Sequence, residues 1–126
     1  PHEGEAAKLL NCSSEIIRNN RERSIKEISN SYSCITVLKG KDTLICDGET
    51  IYKCKHGSNN LAKAGSGDIL AGLIGSLLAQ GLSPVESCKT AVALHGFCAE
   101  HLEHRGYIAN ELIEKIAEKR FSLSVT

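Results

Sequence analysis

The stretch NLAKAGSGDILAGLIGSLLAQGLSP, from residue 60 to residue 84, joins a glycine-serine cluster to a long apolar segment. Apolar residues recur at helical spacing from residue 68 to residue 80, which predicts a helix that ends at Gly81. The apolar positions surround much of this helix, so we expect it to be buried on more than one side. Gly65 and Gly67 come just before the helix, where the first backbone N–H groups have no intrahelical acceptor.

Helical and strand-like segments alternate along the rest of the chain. Isoleucines on a charged background predict one amphipathic helix over residues 12–29, with Ser13 or Ser14 as its N-cap. CITVLKG at residues 34–40 predicts a buried strand, and the two short runs on either side of Asp47 and Gly48 predict a β-hairpin. Further helices are predicted from Ser83 onward and over residues 109–120. The whole pattern indicates an α/β layer structure with an added hairpin.

Composition excludes several classes of protein. Fifteen basic residues balance fifteen acidic ones, so no net field draws the chain to nucleic acid or to an acidic membrane. No apolar run reaches the length needed to span a membrane. The chain of 126 residues is the size of one domain, yet it begins at Pro1 and contains no methionine. We therefore expect it to be a part of a longer protein.

The six cysteines are scattered without a C-x-x-C pair, which favours reduced thiols in a cytoplasmic protein over disulfides. Four of them occupy apolar positions and are predicted to be small core residues: Cys34, Cys46, Cys88 and Cys98. The histidines and cysteines show no spacing typical of a metal site, so no metal ligand is predicted. His95 lies inside an apolar helix and is predicted to be a hydrogen-bonded packing residue.

The glycine-serine cluster predicts an anion-binding site. Gly65, Ser66 and Gly67 would let a phosphate approach the positive end of the helix with no Cβ in the way. Asp68 at the same place would stay ionised and could accept a proton from a bound hydroxyl group. From these residues alone, a plain helix start with Asp68 as a capping residue is an alternative.

A lysine-containing loop follows the predicted strand at residues 34–38. The 39–43 loop consists of Lys39, Gly40, Lys41, Asp42 and Thr43. Loops at the carboxyl ends of parallel strands are where open α/β sheets bind ligands, and the lysines could face phosphate. A solvated charged turn is the alternative.

Several segments together resemble a known family. LAKAGSGDILAGLIGSLLAQGLSPVESCKTAVALHG (residues 61–96), PHEGEAAKLL (1–10), VLKGKDTLI (37–45) and GYIANELIEKI (106–116) are similar to the ADP- or ATP-dependent NAD(P)H-hydrate dehydratases, of the ribokinase-like superfamily. The resemblance implies the C-terminal half of a ribokinase-like three-layer α/β/α domain, with the N-terminal half absent from residues 1–126.

The resemblance also implies roles for individual residues. His2 matches a contact to the hydrated dinucleotide, and Asp68 matches an acidic residue that touches the substrate and serves as the catalytic base. The positions that match nucleotide contacts are Lys39, Gly40, Lys41, Asp42, Thr43, Ser58, Asn59, Asn60, Gly65, Ser66 and Gly67. Glu3 stands where the family usually has proline, and we expect this departure to loosen the turn around His2.

The implied activity is repair of hydrated NADH or NADPH with ADP or ATP as co-substrate and Mg²⁺ as counter-ion. The hydroxyl of the hydrate would be phosphorylated, and loss of phosphate would restore the ring double bond. The implied partners are the missing half of the domain and further copies in a homo-oligomer. Two other hypotheses stay open: a small-molecule kinase of the same superfamily, and a non-catalytic nucleotide-binding half-domain.

Overall fold

The computed structural model describes residues 1–56, 65–102 and 109–123, and the chain divides into two compact units, Pro1–Lys55 and His56–Thr126. The elements of the first unit are α1 (Glu3–Leu9), α2 (Ser14–Asn19), α3 (Arg21–Ser31), β1 (Thr36–Leu38), β2 (Thr43–Cys46) and β3 (Ile51–Cys54). Those of the second unit are α4 (Ser66–Ala79), α5 (Pro84–Glu100) and α6 (Ala109–Leu123). Of the helices in these described ranges, none is both long and apolar enough to span a membrane.

The single helix predicted over residues 12–29 is wrong, because the chain forms two helices that meet at Asn20. Asn20 leaves helical geometry at φ −137° and ψ 44°, and its side-chain Nδ2 donates to the carbonyl oxygen of Ile16 at 3.0 Å. That hydrogen bond satisfies a carbonyl group at the end of α2 and stabilises the break. The predicted N-cap at Ser13 is confirmed, since its Oγ accepts from the N–H of Ile16 at 3.3 Å.

The predicted hairpin is confirmed between β2 and β3. The side chain of Asp47 accepts hydrogen bonds from the N–H groups of Glu49 at 3.0 Å and Thr50 at 2.7 Å. Gly48 has φ +105°, a conformation that side-chain-bearing residues rarely adopt. The Asp-Gly pair therefore closes the turn through one hydrogen-bonding side chain and one permissive backbone.

The sheet of the first unit has the order β1-β2-β3, and both pairings are antiparallel. The 39–43 loop is thus a hairpin connection, and within the described residues it joins antiparallel strands rather than following a strand of a parallel sheet as expected. A parallel pairing of β1 with β2 would need a crossover of about a dozen residues or more. The stretch between Leu38 and Thr43 is too short to provide one.

The core of the first unit lies between the helices and the sheet. All four residues of β2 are buried, and α3 packs against β1 and β2. The buried apolar residues of this core are Ala6, Ala7, Ile17, Ile25, Ile28, Leu38, Leu44 and Cys46. The buried hydroxyl of Ser29 joins helix to sheet, lying 2.8 Å from Thr36 Oγ1 and donating to the Cys46 carbonyl at 3.1 Å.

The second unit is built by α4, α5 and α6. The predicted turn at Gly81 is confirmed, with φ +91° at Gly81 and a hydrogen bond of 3.2 Å from Leu82 N–H to the carbonyl of Leu77. The predicted start of α5 is confirmed too: Ser83 Oγ accepts from Glu86 N–H at 3.3 Å, and Pro84 is the first helical residue. The short connection between the two helices is therefore shaped by local sequence, and it lets α5 pack against α4.

The expectation that α4 is buried on more than one side is wrong for the part of the chain that the structure describes. Leu70 is 5% exposed, and Ile69 and Leu73 pack against buried residues of α5 and α6. Ala71 is exposed, and Leu78 is 43% exposed. Helix α4 therefore has exposed apolar residues, which α5 and α6 do not cover.

All six cysteines are free thiols. Cys46, Cys88 and Cys98 are buried as predicted, whereas Cys34 is exposed, so its prediction as a core residue is wrong. Cys34 follows Ser33, whose φ of +49° ends the turn after α3, and the turn keeps its side chain outside.

The thiols should differ in reactivity in the folded protein. Burial raises the pKa of Cys88 and of Cys98, which lowers the fraction of reactive thiolate. We expect iodoacetamide to modify Cys34 first and to leave Cys88 and Cys98 largely unmodified, as followed by mass spectrometry of tryptic peptides. Labelling of Cys98 as fast as Cys34, under conditions where the protein is folded, would contradict this assignment.

Candidate active site

The glycine loop, defined as residues 65–67, lies at the start of α4. Gly65 is the N-cap, with φ +87° and ψ −13°, a left-handed conformation that explains why glycine stands there. The helix starts at Ser66, so the predicted start at residue 68 is two residues late. Ile69 N–H donates to the Gly65 carbonyl at 3.1 Å, which makes Ser66, Gly67 and Asp68 the first turn. Their amides precede the first intrahelical hydrogen bond and point toward the helix N-terminus.

Asp68 is exposed on this first turn. The helix macrodipole favours a negative charge at this position. An exposed carboxylate beside a row of backbone amides can accept a proton from a ligand whose anionic part contacts those amides. The structure therefore brings together the predicted residues 65–68 in one place.

His95, on α5, forms a hydrogen bond with the glycine loop. It is 5% exposed, and its Nε2 lies 2.9 Å from the carbonyl oxygen of Ser66. The prediction that His95 is a hydrogen-bonded packing residue is confirmed. Sequence reasoning missed that its partner belongs to the glycine loop. Position 95 lies far from residue 66 along the chain, and only the packing of α5 on α4 brings the two together.

His2 forms the N-cap of α1. Its Nδ1 accepts from the N–H groups of Gly4 at 3.0 Å and Glu5 at 3.2 Å, while its own N–H donates to Glu5 Oε2 at 2.7 Å. This reciprocal capping box fixes the turn, so the expectation that Glu3 loosens it is wrong. Since Nδ1 accepts, the proton of the neutral ring lies on Nε2.

Glu3 has a structural role where it stands. Its carboxylate pairs with Arg18 Nε at 3.2 Å and with Arg21 Nη1 at 3.6 Å. These contacts join the start of α1 to α2 and α3. An acidic residue at the first helical position also interacts favourably with the helix N-terminus, so glutamate is compatible with the turn that proline would otherwise shape.

The 39–43 loop lies beside the His2 segment. Lys39 N–H donates to the Pro1 carbonyl at 2.8 Å, and Lys39 Nζ lies 3.8 Å from Glu5 Oε2. The first unit therefore brings together two predicted site segments that are more than thirty residues apart in the sequence.

The Arg21 side chain forms hydrogen bonds with the backbone at both ends of the 39–43 loop. Its Nη2 donates to the carbonyl oxygens of Leu38 at 3.3 Å and Asp42 at 2.9 Å. Gly40 permits this approach, because a Cβ at that position would overlap the Arg21 guanidinium group. The helix prediction for this segment rested on its isoleucines and missed this arginine. A glycine between two lysines was the only signal that another side chain comes close.

Some predicted features lie outside the described residues. Ser58, Asn59 and Asn60 are among residues 57–64, which the structure does not describe. Within the described ranges, no cluster of three or more histidine, cysteine, aspartate or glutamate side chains could hold a metal ion. A cavity of about 600 Å³ in the second unit is lined by α5 residues, His56 and Lys119 rather than by residues 65–68.

Glu5 gives the first unit a dependence on pH. The hydrogen bond from His2 N–H lowers the pKa of Glu5 from its usual 4.5, burial opposes this, and the Lys39 ammonium lowers it further. The folded state therefore binds this proton less tightly than the unfolded chain does. The contribution of Glu5 to stability is complete above the unfolded pKa and is lost as the pH falls through the folded pKa.

We therefore expect Glu5→Gln to flatten the acid limb of the stability curve. Below about pH 4.5, the unfolding free energy should fall less steeply in the variant than in the wild type, as measured by urea unfolding at several pH values. Above pH 6 the variant should be the less stable protein, because it lacks the charged acceptor. Parallel curves for the two proteins throughout the acid range would count against this role.

The fold and the glycine loop define a class of protein. A solved ribokinase-like superfamily protein from Enterococcus faecalis superposes on this chain with a TM-score of 0.77 at 25% identity, covering 96% of this chain and 42% of that one. The chain thus has the α/β fold of the ribokinase-like class, which confirms the predicted fold class.

A narrower assignment follows from further comparisons. A family model described as NAD(P)H-hydrate dehydratase (Carb_kinase) matches residues 1–119. The ADP-dependent (S)-NAD(P)H-hydrate dehydratase of Neisseria meningitidis is 39% identical over 90% of this chain and 38% of its own length. The ADP/ATP-dependent NAD(P)H-hydrate dehydratase of Bacillus subtilis, co-crystallised with ATP and Mg²⁺, has a TM-score of 0.88 at 32% identity, covering 96% of this chain and 46% of that one. The chain belongs to the NAD(P)H-hydrate dehydratase family.

The relatives are longer than this chain. It spans 38% of the Neisseria enzyme, 46% of the Bacillus structure and 25% of one of the bifunctional NAD(P)H-hydrate repair enzymes that it matches.

Proposed function

We propose that the protein is an ADP/ATP-dependent (S)-NAD(P)H-hydrate dehydratase, which returns hydrated NADH or NADPH to the reduced cofactor. The observation that carries this proposal is Asp68 on the first turn of α4, next to the amides of residues 65–68. This arrangement lies within the residues that match the dehydratase family. A carboxylate beside an anion-binding helix N-terminus suits transfer of a phosphoryl group to a hydroxyl group.

The nucleotide would bind through its phosphates. Gly65, Ser66 and Gly67 would supply backbone N–H groups, and the 39–43 loop would add the ammonium groups of Lys39 and Lys41. Ser58, Asn59 and Asn60 complete the proposed set. Mg²⁺ would offset the phosphate charge; proteins commonly hold this ion through substrate phosphates, water and one or two carboxylates.

In the proposed mechanism, Asp68 removes the proton from the hydroxyl of the hydrate as its oxygen attacks the terminal phosphorus of the nucleotide. The oxygen–phosphorus bond forms while the bond to the leaving nucleotide breaks, and the amides of residues 65–68 stabilise the charge on the transferred group. Loss of phosphate from the ring carbon, with loss of a proton from the neighbouring atom, then restores the double bond. The products are reduced cofactor, inorganic phosphate and the shortened nucleotide.

His2 is proposed to contact the hydrated dinucleotide. Its Nδ1 is used for capping α1, so Nε2–H, which lies 3.5 Å from Glu5 Oε1, is the group that would donate to a substrate oxygen. The His2 side chain is 60% exposed, which leaves room for that contact.

We propose that the chain acts together with the N-terminal half of a ribokinase-like domain. The exposed apolar residues of α4 support this, because a central helix of one domain would bury them against the other half. The coverage of less than half of the Bacillus structure agrees with it. Assembly into a homo-oligomer and a cytoplasmic location, consistent with six free thiols, belong to the same proposal.

A small-molecule kinase is the second candidate, because the fold is shared with ribokinase-like proteins in general. Analysis of phosphorus-containing products separates the two activities. The complete domain, incubated with hydrated NADH, Mg²⁺ and ADP or ATP, should release one inorganic phosphate for each reduced cofactor formed. A phosphorylated product that persists would favour the kinase. Nucleotide binding without any turnover would favour a non-catalytic half-domain.

A further inference from the structure

Helix α5 contacts the chain on both sides of residues 57–64, through two neighbouring residues. His95 lies 2.9 Å from the Ser66 carbonyl, where the chain enters α4. Gly96 lies against the backbone of His56, with an ideal Cβ only 2.5 Å from the His56 carbonyl oxygen. His56 Nδ1 also lies 3.3 Å from Glu100 Oε2, one turn further along α5. The histidine-glycine pair thus anchors the segment before the glycine loop and the loop itself to one rigid helix.

The contact between His95 and Ser66 has a defined polarity. A carbonyl oxygen can only accept, so Nε2 of His95 donates and carries the ring proton. His95 is 5% exposed and Ser66 is 7% exposed, so water competes little for this hydrogen bond. A buried carbonyl that lost this donor would be less well satisfied.

The Ser66 carbonyl belongs to the same peptide group as the N–H of Gly67. The chain has no cis peptide bond among the described residues, so this C=O and N–H point in opposite directions. Holding the oxygen on His95 therefore reinforces, together with the helical geometry of α4, the direction of the Gly67 N–H at the N-terminus of the helix. Donation to the oxygen also polarises the peptide group, which makes its N–H a better donor to an anion.

We infer that His95 is a positioning residue: it aims the Gly67 amide, and with it the first turn that carries Asp68, at the phosphoryl group in transfer. This inference rests on the proposed function. His95 acts through Ser66 and Gly67, without touching substrate. Gly96 supports the same geometry by letting α5 lie against the His56 backbone.

Glutamine and asparagine at position 95 would both provide a side-chain amide donor, and they differ in side-chain length. The side-chain nitrogen of glutamine lies as many bonds from Cβ as Nε2 of histidine does, whereas that of asparagine lies one bond closer. In the complete domain, we expect His95→Asn to lower kcat/KM for the nucleotide about 100-fold, the cost of a misplacement of about 1 Å, while His95→Gln stays within about threefold of wild type. KM for the hydrate should change little in either variant. His101→Asn is the matched control, since the exposed His101 side chain contacts Phe97, with Nδ1 2.8 Å from its carbonyl oxygen and the two rings 4.1 Å apart, and not residues 65–68. Its kinetics should be unchanged.

Equal kinetics for the Asn and Gln variants would overturn the inference, since a merely structural histidine would not distinguish them by reach. Titration with a fluorescent ADP analogue separates this result from the proposed function. If the wild type binds the analogue without acting on the hydrate, the proposed function fails, while the difference in affinity between the variants still tests His95.

An NMR measurement does not depend on the folding of the variants. The ¹⁵N shifts of His95 should show the tautomer with the proton on Nε2, and the Gly67 amide resonance should move on addition of ADP and Mg²⁺. A proton on Nδ1 alone, with Nε2 unprotonated, would overturn the inference directly.

Discussion

Asp68→Asn should lower kcat by about 10²- to 10⁴-fold in the complete domain, the usual contribution of a general base. Asparagine keeps the size of the side chain but cannot take the hydroxyl proton. Nucleotide affinity should stay close to wild type, because the amides of residues 65–68 remain in place at the N-terminus of α4. Single-turnover kinetics and a separate nucleotide titration measure the two effects.

Glu86→Gln provides the matched control. Glu86 is an exposed carboxylate at the third position of α5, as Asp68 is at the third position of α4, and it pairs with Lys89 at 2.9 Å. Both substitutions remove a negative charge from the first turn of a helix, at a similar cost in stability of about 0.3–1 kcal/mol. Only Asp68→Asn should affect turnover. Equal turnover in the Asp68 variant and in the wild type would remove Asp68 from the mechanism.

Gly96→Ala should destabilise the protein by about 1–3 kcal/mol, the usual range for overpacking a tight contact. The added Cβ would lie 2.5 Å from the carbonyl oxygen of His56 and 2.7 Å from its carbonyl carbon. Both atoms belong to backbone, which cannot rotate away as the end of a flexible side chain can. Urea unfolding of the chain, with the m-value compared between variants, measures the change.

Gly72→Ala is the control, because Gly72 is also helical but an added Cβ meets nothing within 4 Å. In this chain it should gain up to about 1 kcal/mol from the better helix propensity of alanine. The two substitutions should therefore shift the unfolding midpoint in opposite directions. A rise in stability for Gly96→Ala would contradict the close packing of His56 on α5.

Local sequence signals predicted the elements whose ends are fixed by neighbouring residues. The hairpin at Asp47 and Gly48, the turn at Gly81 and the cap at Ser83 all depend on interactions within a few residues, and all were predicted. Such signals act through the backbone of the same segment, so they can be read from the residues alone.

Contacts between distant segments were not predictable in the same way. The break at Asn20 depends on a hydrogen bond from its side chain to the Ile16 carbonyl. The spacing of apolar residues does not reveal such a bond. Arg21 and His95 contact the two loops through backbone carbonyls, which carry no sequence signature. The candidate site was therefore found from the sequence at Asp68 and the glycines, while the residues that hold its loops became visible only in the structure.

The most direct test of the proposed function follows the near-ultraviolet absorbance of the reduced nicotinamide. Hydrated NADH is mixed with Mg²⁺ and the complete domain, with and without ADP or ATP. We expect the absorbance to recover only when nucleotide is present, and to recover far more slowly with Asp68→Asn. Unchanged absorbance with nucleotide bound to the protein, or recovery at the same rate without nucleotide, would contradict a nucleotide-dependent dehydratase.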